Sequence, residues 1–305
     1  MLYDCLVIGG GPAGLAATVY LARQKIKFLM LTGDVGGQTL WSSDVENYLG
    51  FHLLNGQQLV EQFRAHLKDY RKDFELKEGE RVERILRSRE GFEAKTSLGS
   101  YWAKTILVAT GTKHRELGVP GEKEFYGKGV TYCATCDAPV FRDKTVHVVG
   151  GGNSAMDAAI FLAKYAKQIT ILTTNPDLMG DAGLIGRCKA EHKIRILGQA
   201  RTRRILGGEF VNDIVYADAH GEERTEPTQG VFIEVGVAPV SGFIDFVAKN
   251  ANGEIVVDKH CATSVPGVWS AGDVTDVGQK QIAVAVGEGS KAALEIIQYL
   301  QRGGR

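Results

Sequence analysis

The chain is 305 residues long, enough for two domains or one large one, and its 44% hydrophobic and 24% charged residues are the balance of an ordinary soluble globular protein. Lysine plus arginine equals aspartate plus glutamate at 36 each, so no global field draws nucleic acid or an anionic membrane surface, and no basic run changes that. No apolar run approaches the length of a membrane span, and a first strand expected almost at Met1 leaves no room for a signal peptide; the expected location is the cytoplasm.

In chain order, the first unit is "DCLVIGGGPAGLAATVYLAR" (4 to 23): an apolar β-rich run, three glycines, then a helix-forming segment. The same unit recurs without a gap as "TVHVVGGGNSAMDAAIFLAK" (145 to 164). Each copy predicts the strand, tight turn and helix of a dinucleotide-binding fold, with Gly9, Gly11 and Gly14 in the first and Gly150, Gly152 and Ala155 in the second. Such glycines let the backbone turn sharply and approach a pyrophosphate, whose charge then sits on the amides of the following helix. A strand is expected over 25 to 33, followed by a glycine-rich stretch (34 to 50) without helical periodicity and a helix over 56 to 72. Short alternating strands lead to "TILVATGT" (105 to 112), a buried strand ending in small residues where a cofactor can approach. Residues 118 to 129 are turn-rich and polar, as in a linker, and 236 to 242 form the return linker. "GVWSAGDV" (267 to 274) adds a strand, and a final helix covers about 281 to 301. The fold class is therefore α/β, with two Rossmann-like dinucleotide-binding domains, the second inserted into the first: 1 to 112 with 243 to 305, and 113 to 242.

Between the linker and the second glycine motif lies "GVTYCATCDAP" (129 to 139), which places Cys133, Cys136 and Asp137 together. A structural zinc site needs four ligands, yet Cys5, Cys188 and Cys261 are isolated and no histidine falls at ligand spacing, so no metal is expected. A structural disulfide closing so short a loop removes little unfolded-state entropy. The remaining chemistry is a dithiol that opens and closes in turnover, with Asp137 carrying the proton that enters or leaves. The three isolated cysteines are expected to be small buried hydrophobes.

Six or more motifs in order, "GGGPAG", "GGQ" (36 to 38), "VENYLG" (45 to 50), "ATG" (109 to 111), "CATCD", "GGGNSA", "AGD" (271 to 273) and "KQI" (280 to 282), make the chain similar from end to end to the low-molecular-weight thioredoxin reductases, FAD-dependent pyridine nucleotide-disulfide oxidoreductases. It is similar too to the flavoprotein part of the alkyl hydroperoxide reductase reductase subunits. The resemblance implies a homodimeric flavoenzyme with FAD in the first domain and NADPH in the inserted one, which also carries the Cys-x-x-Cys. It places Gly9, Gly11, Pro12, Ala13 and Gly14 at the FAD pyrophosphate, followed by Gly37 and Gln38, with Asn47 near the flavin ring. Ala109, Thr110 and Gly111 would border the cofactor, Gly272 and Asp273 would meet its ribityl or phosphate region, and Lys280, Gln281 and Ile282 would set the last helix against the isoalloxazine. Asp34, twenty residues after Gly14, stands at the usual distance for a ribose-binding acid. The resemblance makes Cys136 the flavin-proximal sulfur and Cys133 the thiol that attacks a thioredoxin-type protein, with the inserted domain turning about linkers near 112 to 120 and 237 to 243.

One part of the pattern fails. NADPH users of the family follow the second strand with His-Arg-Arg, because a 2′-phosphate needs forked cationic donors. Here Thr173, Thr174 and Asn175 occupy that place, and Val240 stands where the family commonly has asparagine. An NADH user would place an acid for the 2′-hydroxyl at the strand end, where Thr173 sits with Asp177 four residues later, and "RTRR" (201 to 204) is expected to be a solvated face. The turn at Gly150, Gly152, Asn153, Ser154 and Ala155 can then be a vestigial nucleotide site. Three donor and acceptor schemes follow: a thioredoxin reductase with atypical use of NAD(P)H, the same disulfide chemistry driven by a protein donor such as ferredoxin, and the reductase of a peroxidase system.

Overall fold

Strand β1 (Leu2–Gly10) carries an unbroken apolar run, Cys5 to Ile8, which a sheet can bury only when both its faces are covered. A computed structural model describes residues 1–42, 45 and 47–303. Glu46 of the "VENYLG" motif lies outside the described residues, as do the last two residues of the expected first domain.

After β1 come α1 (Pro12–Arg23), β2 (Phe28–Val35), a 3₁₀ turn (Gly37–Trp41), α2 (Gly56–Lys68), β3 (Glu75–Glu78), β4 (Val82–Ser88), β5 (Gly91–Thr96), β6 (Ser100–Val108) and β7 (Thr112–His114). The next stretch holds β8 (Val130–Thr131), α3 (Ala134–Asp137), β9 (Thr145–Val149), α4 (Asn153–Leu162), β10 (Gln168–Leu172), α5 (Ala182–Ala190) and β11 (Ile194–Leu197). Strands β12 (Arg201–Gly207), β13 (Val211–Ala217), β14 (Glu223–Pro227), β15 (Gly230–Ile233), β16 (Val237–Pro239) and β17 (Val268–Ser270) precede α6 (Ile282–Gln301). The chain divides into two compact units, Met1–Lys113 with Ala238–Arg305, and His114–Val237.

In the first unit β3, β2, β1 and β6 run parallel in that order. β6 is shared lengthwise: β5 pairs antiparallel with its first half (Ser100 to Ala103), and β17 pairs parallel with its last (Ile106 to Val108). Alternation along β1 then splits the core. Cys5 and Val7 face α1 and α6, packing with Leu21, Ala293 and Ile297, while Leu6 and Ile8 face Ile244 and Val274. α2 begins where its sequence says it should: Asn55 accepts from the Gln58 amide at 2.8 Å and Gln58 returns a bond to the Asn55 amide at 3.0 Å, a reciprocal cap. It ends at Lys68 rather than at 72, with Asp69 at its C-cap. The stretch expected to lack helix contains the 3₁₀ turn, whose first amide, that of Gly37, donates to Asp34 Oδ1 at 3.0 Å.

The second unit repeats the plan with a parallel sheet β11-β10-β9-β15-β8. One face packs α4, through Met156, Ala159 and Leu162, on Val148 and Ile171; the other meets the antiparallel β12-β13-β14 sheet through Ile205, Ile214 and Tyr216. In the run expected to be solvated, Arg201 and Arg203 are exposed and Arg204 pairs with Glu223 at 2.9 Å. Cys5, Cys188 and Cys261 are buried free thiols, as expected of small core hydrophobes.

The return into the first unit comes at 237/238, against an expected 242/243, and the backbone shows why. Val240 N–H donates to Gly111 O at 2.9 Å, Thr110 Oγ1 donates to Val240 O at 2.6 Å, and Ser241 Oγ donates to Gly253 O at 2.6 Å. Every one of these partners belongs to the first unit, so a segment with linker composition is bonded into that unit's frame.

Candidate active site

At the first glycine turn Gly9 has φ +110°, and a Cβ there would stand 2.2 Å from Ala109 O. Only glycine fits both restrictions. Gly14 permits the close approach of helix to strand, since a Cβ on it would stand 2.0 Å from Gly9 O. Gly11 differs: a Cβ there would project into open space, and Gly11 caps α1 with no side-chain bond while Pro12 opens the helix. The first-turn amides thus face a cradle that a side chain would fill, which is what a pyrophosphate requires.

Gly37, Ala109 and Gly272 meet this turn, the latter two beyond the carboxyl ends of β6 and β17. Gly36 N–H donates to Gly10 O at 2.8 Å, and a Cβ on Gly37 would lie 3.2 Å from Gly11 Cα. The Gln38 amide donates to Thr112 O at 3.2 Å, tying "GGQ" to the end of "ATGT". Ala109 N–H donates to Ile8 O at 2.7 Å. Gly272 sits against Ala13, its amide donating to Glu288 Oε2 at 2.7 Å, and burial pushes the neighbouring Asp273 carboxyl up from its ordinary range while Lys280 partly opposes the shift. Asn47 Nδ2 reaches Gln281 Oε1 at 3.0 Å across 234 residues of sequence. Ile282 is the first residue of α6, which has no side-chain cap and no acid in its first turn. The Lys280 ammonium is held by Glu254 at 3.0 Å and by Thr275 O. Asp34 Oδ1 accepts from Gly37 N–H at 3.0 Å.

Cys133 and Cys136 form a disulfide across one turn of backbone, with Cα atoms 5.4 Å apart. Cys133 is half-buried and Cys136 exposed. The Cys136 amide donates to Cys133 Sγ at 3.2 Å, a contact that favours thiolate over thiol at that sulfur once the bond opens. Asp137 lies at the end of α3 and accepts a hydrogen bond from Thr131 Oγ1.

In the second turn Gly150 repeats the positive φ of Gly9, at +143°, and Gly152 again opens on free space at the start of α4. Ala155 replaces the third glycine, and a Cβ on Gly150 would lie 3.2 Å from its methyl. Asn153 Oδ1 accepts from Asp181 N at 2.9 Å, and Met179 N donates to Gly151 O at 2.8 Å, so the loop after β10 lies along the turn. Thr173 is only 2% exposed, packs on Gly151 and accepts from Asn175 N at 3.2 Å. Asp177 is paired with Lys189 at 2.6 Å, which holds its carboxyl below the usual range. At the end of β15 burial, helped by Asp157, pushes the Glu234 carboxyl up to about 8.

Thr32, Thr112, Thr131 and Glu288 hold this frame and were not singled out from the sequence. Thr32 had a signal: it occupies in the first repeat the place of Thr173 in the second.

Two dinucleotide turns on separate parallel sheets, with a Cys-x-x-Cys disulfide in the second unit, define a nucleotide-dependent disulfide oxidoreductase. The family model described as pyridine nucleotide-disulphide oxidoreductase matches residues 3–289. The chain is 40% identical over 303 residues to an NADH dehydrogenase of Bacillus subtilis (strain 168) and 39% identical over 306 residues to the F subunit of the Pseudomonas putida alkyl hydroperoxide reductase. In both cases the match covers 98% of this chain but only 59% and 58% of the relative, so the chain spans about three fifths of their length. The crystal structure of Lactococcus lactis thioredoxin reductase superposes with a TM-score of 0.93 at 32% identity, covering 98% of this chain and 99% of that one. The chain therefore belongs to the pyridine nucleotide-disulphide oxidoreductase family. Among the described residues no helix is long and apolar enough to cross a membrane.

Proposed function

We propose that the protein passes two electrons from FAD through the Cys133–Cys136 disulfide to the disulfide of a thioredoxin-type protein. The observation that carries this reading is the disulfide itself, in the turn that bears Asp137, on a frame superposing at TM-score 0.93 on a thioredoxin reductase.

The residues fit the cofactor. Gly9, Gly11, Pro12, Ala13 and Gly14 would hold its pyrophosphate on the uncapped start of α1. Gly37, Gln38, Ala109, Thr110, Gly111, Gly272 and Asp273 would line it, and Asn47 with Lys280, Gln281 and Ile282 would bring the amides of α6 to its ring, where a helix N-terminus favours negative charge. When bound, FAD supplies two-electron transfer to a disulfide. The chain's own residues then act in sequence. Cys136 serves as the sulfur nearer the cofactor and Cys133 as the attacking thiolate, assisted by the Cys136 amide, while Asp137 exchanges the proton. Attack by Cys133 on the partner forms a mixed disulfide; Cys136 closes the ring again, and the partner leaves with two electrons and two protons.

The donor is read from the second turn. Gly150, Gly152, Asn153, Ser154 and Ala155 keep a pyrophosphate cradle, yet no arginine or acid stands at the end of β10. This favours NAD(P)H held without preference for a 2′-phosphate; a protein donor such as ferredoxin is the alternative. The similarity to the F subunit of alkyl hydroperoxide reductase favours a second acceptor reading, a peroxiredoxin-type partner. The working form is a cytoplasmic homodimer.

Cys133→Ser and Cys136→Ser each should abolish reduction of a protein disulfide while leaving bound FAD unchanged, measured by thioredoxin-coupled turnover and flavin absorbance. Near-normal turnover in either variant would refute the dithiol relay.

A further inference from the structure

Thr131 ends β8 two residues before Cys133, and its hydroxyl touches both ends of the Cys-x-x-Cys-Asp turn. The Cys133 amide donates to Thr131 Oγ1 at 3.1 Å, and Thr131 Oγ1 donates to Asp137 Oδ2. Chemistry fixes the direction of this chain. An amide N–H has only a proton to give and a carboxylate has only lone pairs, so the single hydroxyl proton must point at Asp137. The threonine is placed from outside the turn: β8 pairs with β15, Thr131 opposite Phe232, and the residue is only 6% exposed. Little water therefore competes for the hydroxyl, and the Cys133 amide polarises it further toward the carboxylate.

We propose that Thr131 is the positioning residue for proton handling at the dithiol. It anchors Asp137 Oδ2 to the same hydroxyl that fixes the Cys133 backbone, leaving Oδ1 as the oxygen that exchanges the proton. The proposal rests on the disulfide-reducing reading. In that reaction the dithiol of Cys133 and Cys136 becomes a disulfide and the partner's disulfide becomes a dithiol, so two electrons and two protons cross together. A carboxylate free to swing away from the sulfurs would slow the proton part alone. The competing possibility is that Thr131 merely caps the Cys133 amide as an ordinary turn residue, with the bond to Asp137 incidental.

The holoenzyme discriminates between them. Thr131→Val keeps the shape and removes the hydroxyl; Thr131→Ser restores it. A hydrogen bond to a charged group is strong enough that Thr131→Val should lower protein-disulfide reduction roughly ten-fold, and Thr131→Ser should recover most of that loss. The pH–rate profile for alkylation of the chemically reduced dithiol by iodoacetamide gives a readout that needs neither partner nor electron donor. In Thr131→Val the profile should depart from that of the wild type, because the hydroxyl that holds Asp137 Oδ2 is gone; Thr131→Ser should track the wild type. In an Asp137→Asn background Thr131→Val should have no further effect on either measure. Flavin content and thermal unfolding check folding, and Thr131→Ala replaces the valine variant should that one not fold. An alkylation profile unchanged by loss of the hydroxyl, or full additivity with Asp137→Asn, would overturn the proposal. A wild-type enzyme that reduces no protein disulfide would instead sink the proposed function, and the alkylation profiles would still decide the role of Thr131.

Discussion

Thr32 and Thr173 close the two glycine turns in parallel ways. Gly10 N–H donates to Thr32 Oγ1 at 2.9 Å, and a Cβ on Gly10 would meet that oxygen at 2.7 Å; a Cβ on Gly151 would meet Thr173 Oγ1 at 2.1 Å. The residue expected to show only what the second site lacks is thus part of its backbone architecture. Glu234 was invisible to motif reasoning because nothing local marks a carboxyl that burial keeps protonated; its environment is made by β15 and α4. Its folded value of about 8 lies above the ordinary 4.5, so the folded state keeps a proton that the unfolded chain releases. The associated stability is fully present below pH 4.5 and is lost as the pH rises through about 8. Glu234→Gln should therefore melt higher than the wild type at pH 9, with the difference shrinking toward pH 5. A difference that is the same at both pH values in thermal unfolding would show that the carboxyl holds no such proton.

At the scale of elements, what could be read was what local chemistry determines. The run in β1 and the reciprocal cap of α2 were written in adjacent residues. The 3₁₀ turn was not, because the bond at its start, from Gly37 N–H to Asp34 Oδ1, has no signature in the glycine-rich stretch and appears only on folding. The end of β10 follows the same logic. Thr173 is locked against Gly151, whereas Thr174 is exposed and Asn175 half-buried, so recognition of a 2′-phosphate can be installed at the latter two without disturbing the turn. The wild type should discriminate between NADPH and NADH by less than about ten-fold, since charge-assisted bonds of about 1.5 to 3 kcal/mol each are missing. Thr174→Arg with Asn175→Arg should shift the ratio toward NADPH by about ten-fold or more, read from anaerobic flavin bleaching. Strong NADPH preference in the unmodified enzyme would mean that another group binds the phosphate.

For the whole molecule, the ungapped repeat of strand, glycine turn and helix disclosed the two-sheet plan, because each copy carries its own glycines. The point of return at 237/238 was less legible. Gly236, Pro239 and Gly242 give that stretch the composition of a linker, and only the long-range bonds from Val240 to Thr110 and Gly111, and from Ser241 to Gly253, tie it to the first unit. The cysteine turn was legible as chemistry, while its supporting hydroxyl was not, since a threonine ahead of a cysteine is common and its partner appears only on folding. The central claim is that electrons leave through Cys133 and Cys136 to a protein disulfide. Its most direct test is a single turnover: holoenzyme reduced with dithionite, freed of excess reductant under anaerobic conditions, and mixed with oxidised thioredoxin. With thioredoxin in excess the account predicts about four new thiols per enzyme chain, two from the Cys133–Cys136 dithiol and two from reduced FAD passing through it, with the flavin reoxidised, Cys133 and Cys136 returned to the disulfide and neither serine variant able to complete the transfer. Thioredoxin left oxidised by fully reduced wild-type enzyme, or reduced equally well by both serine variants, would contradict it.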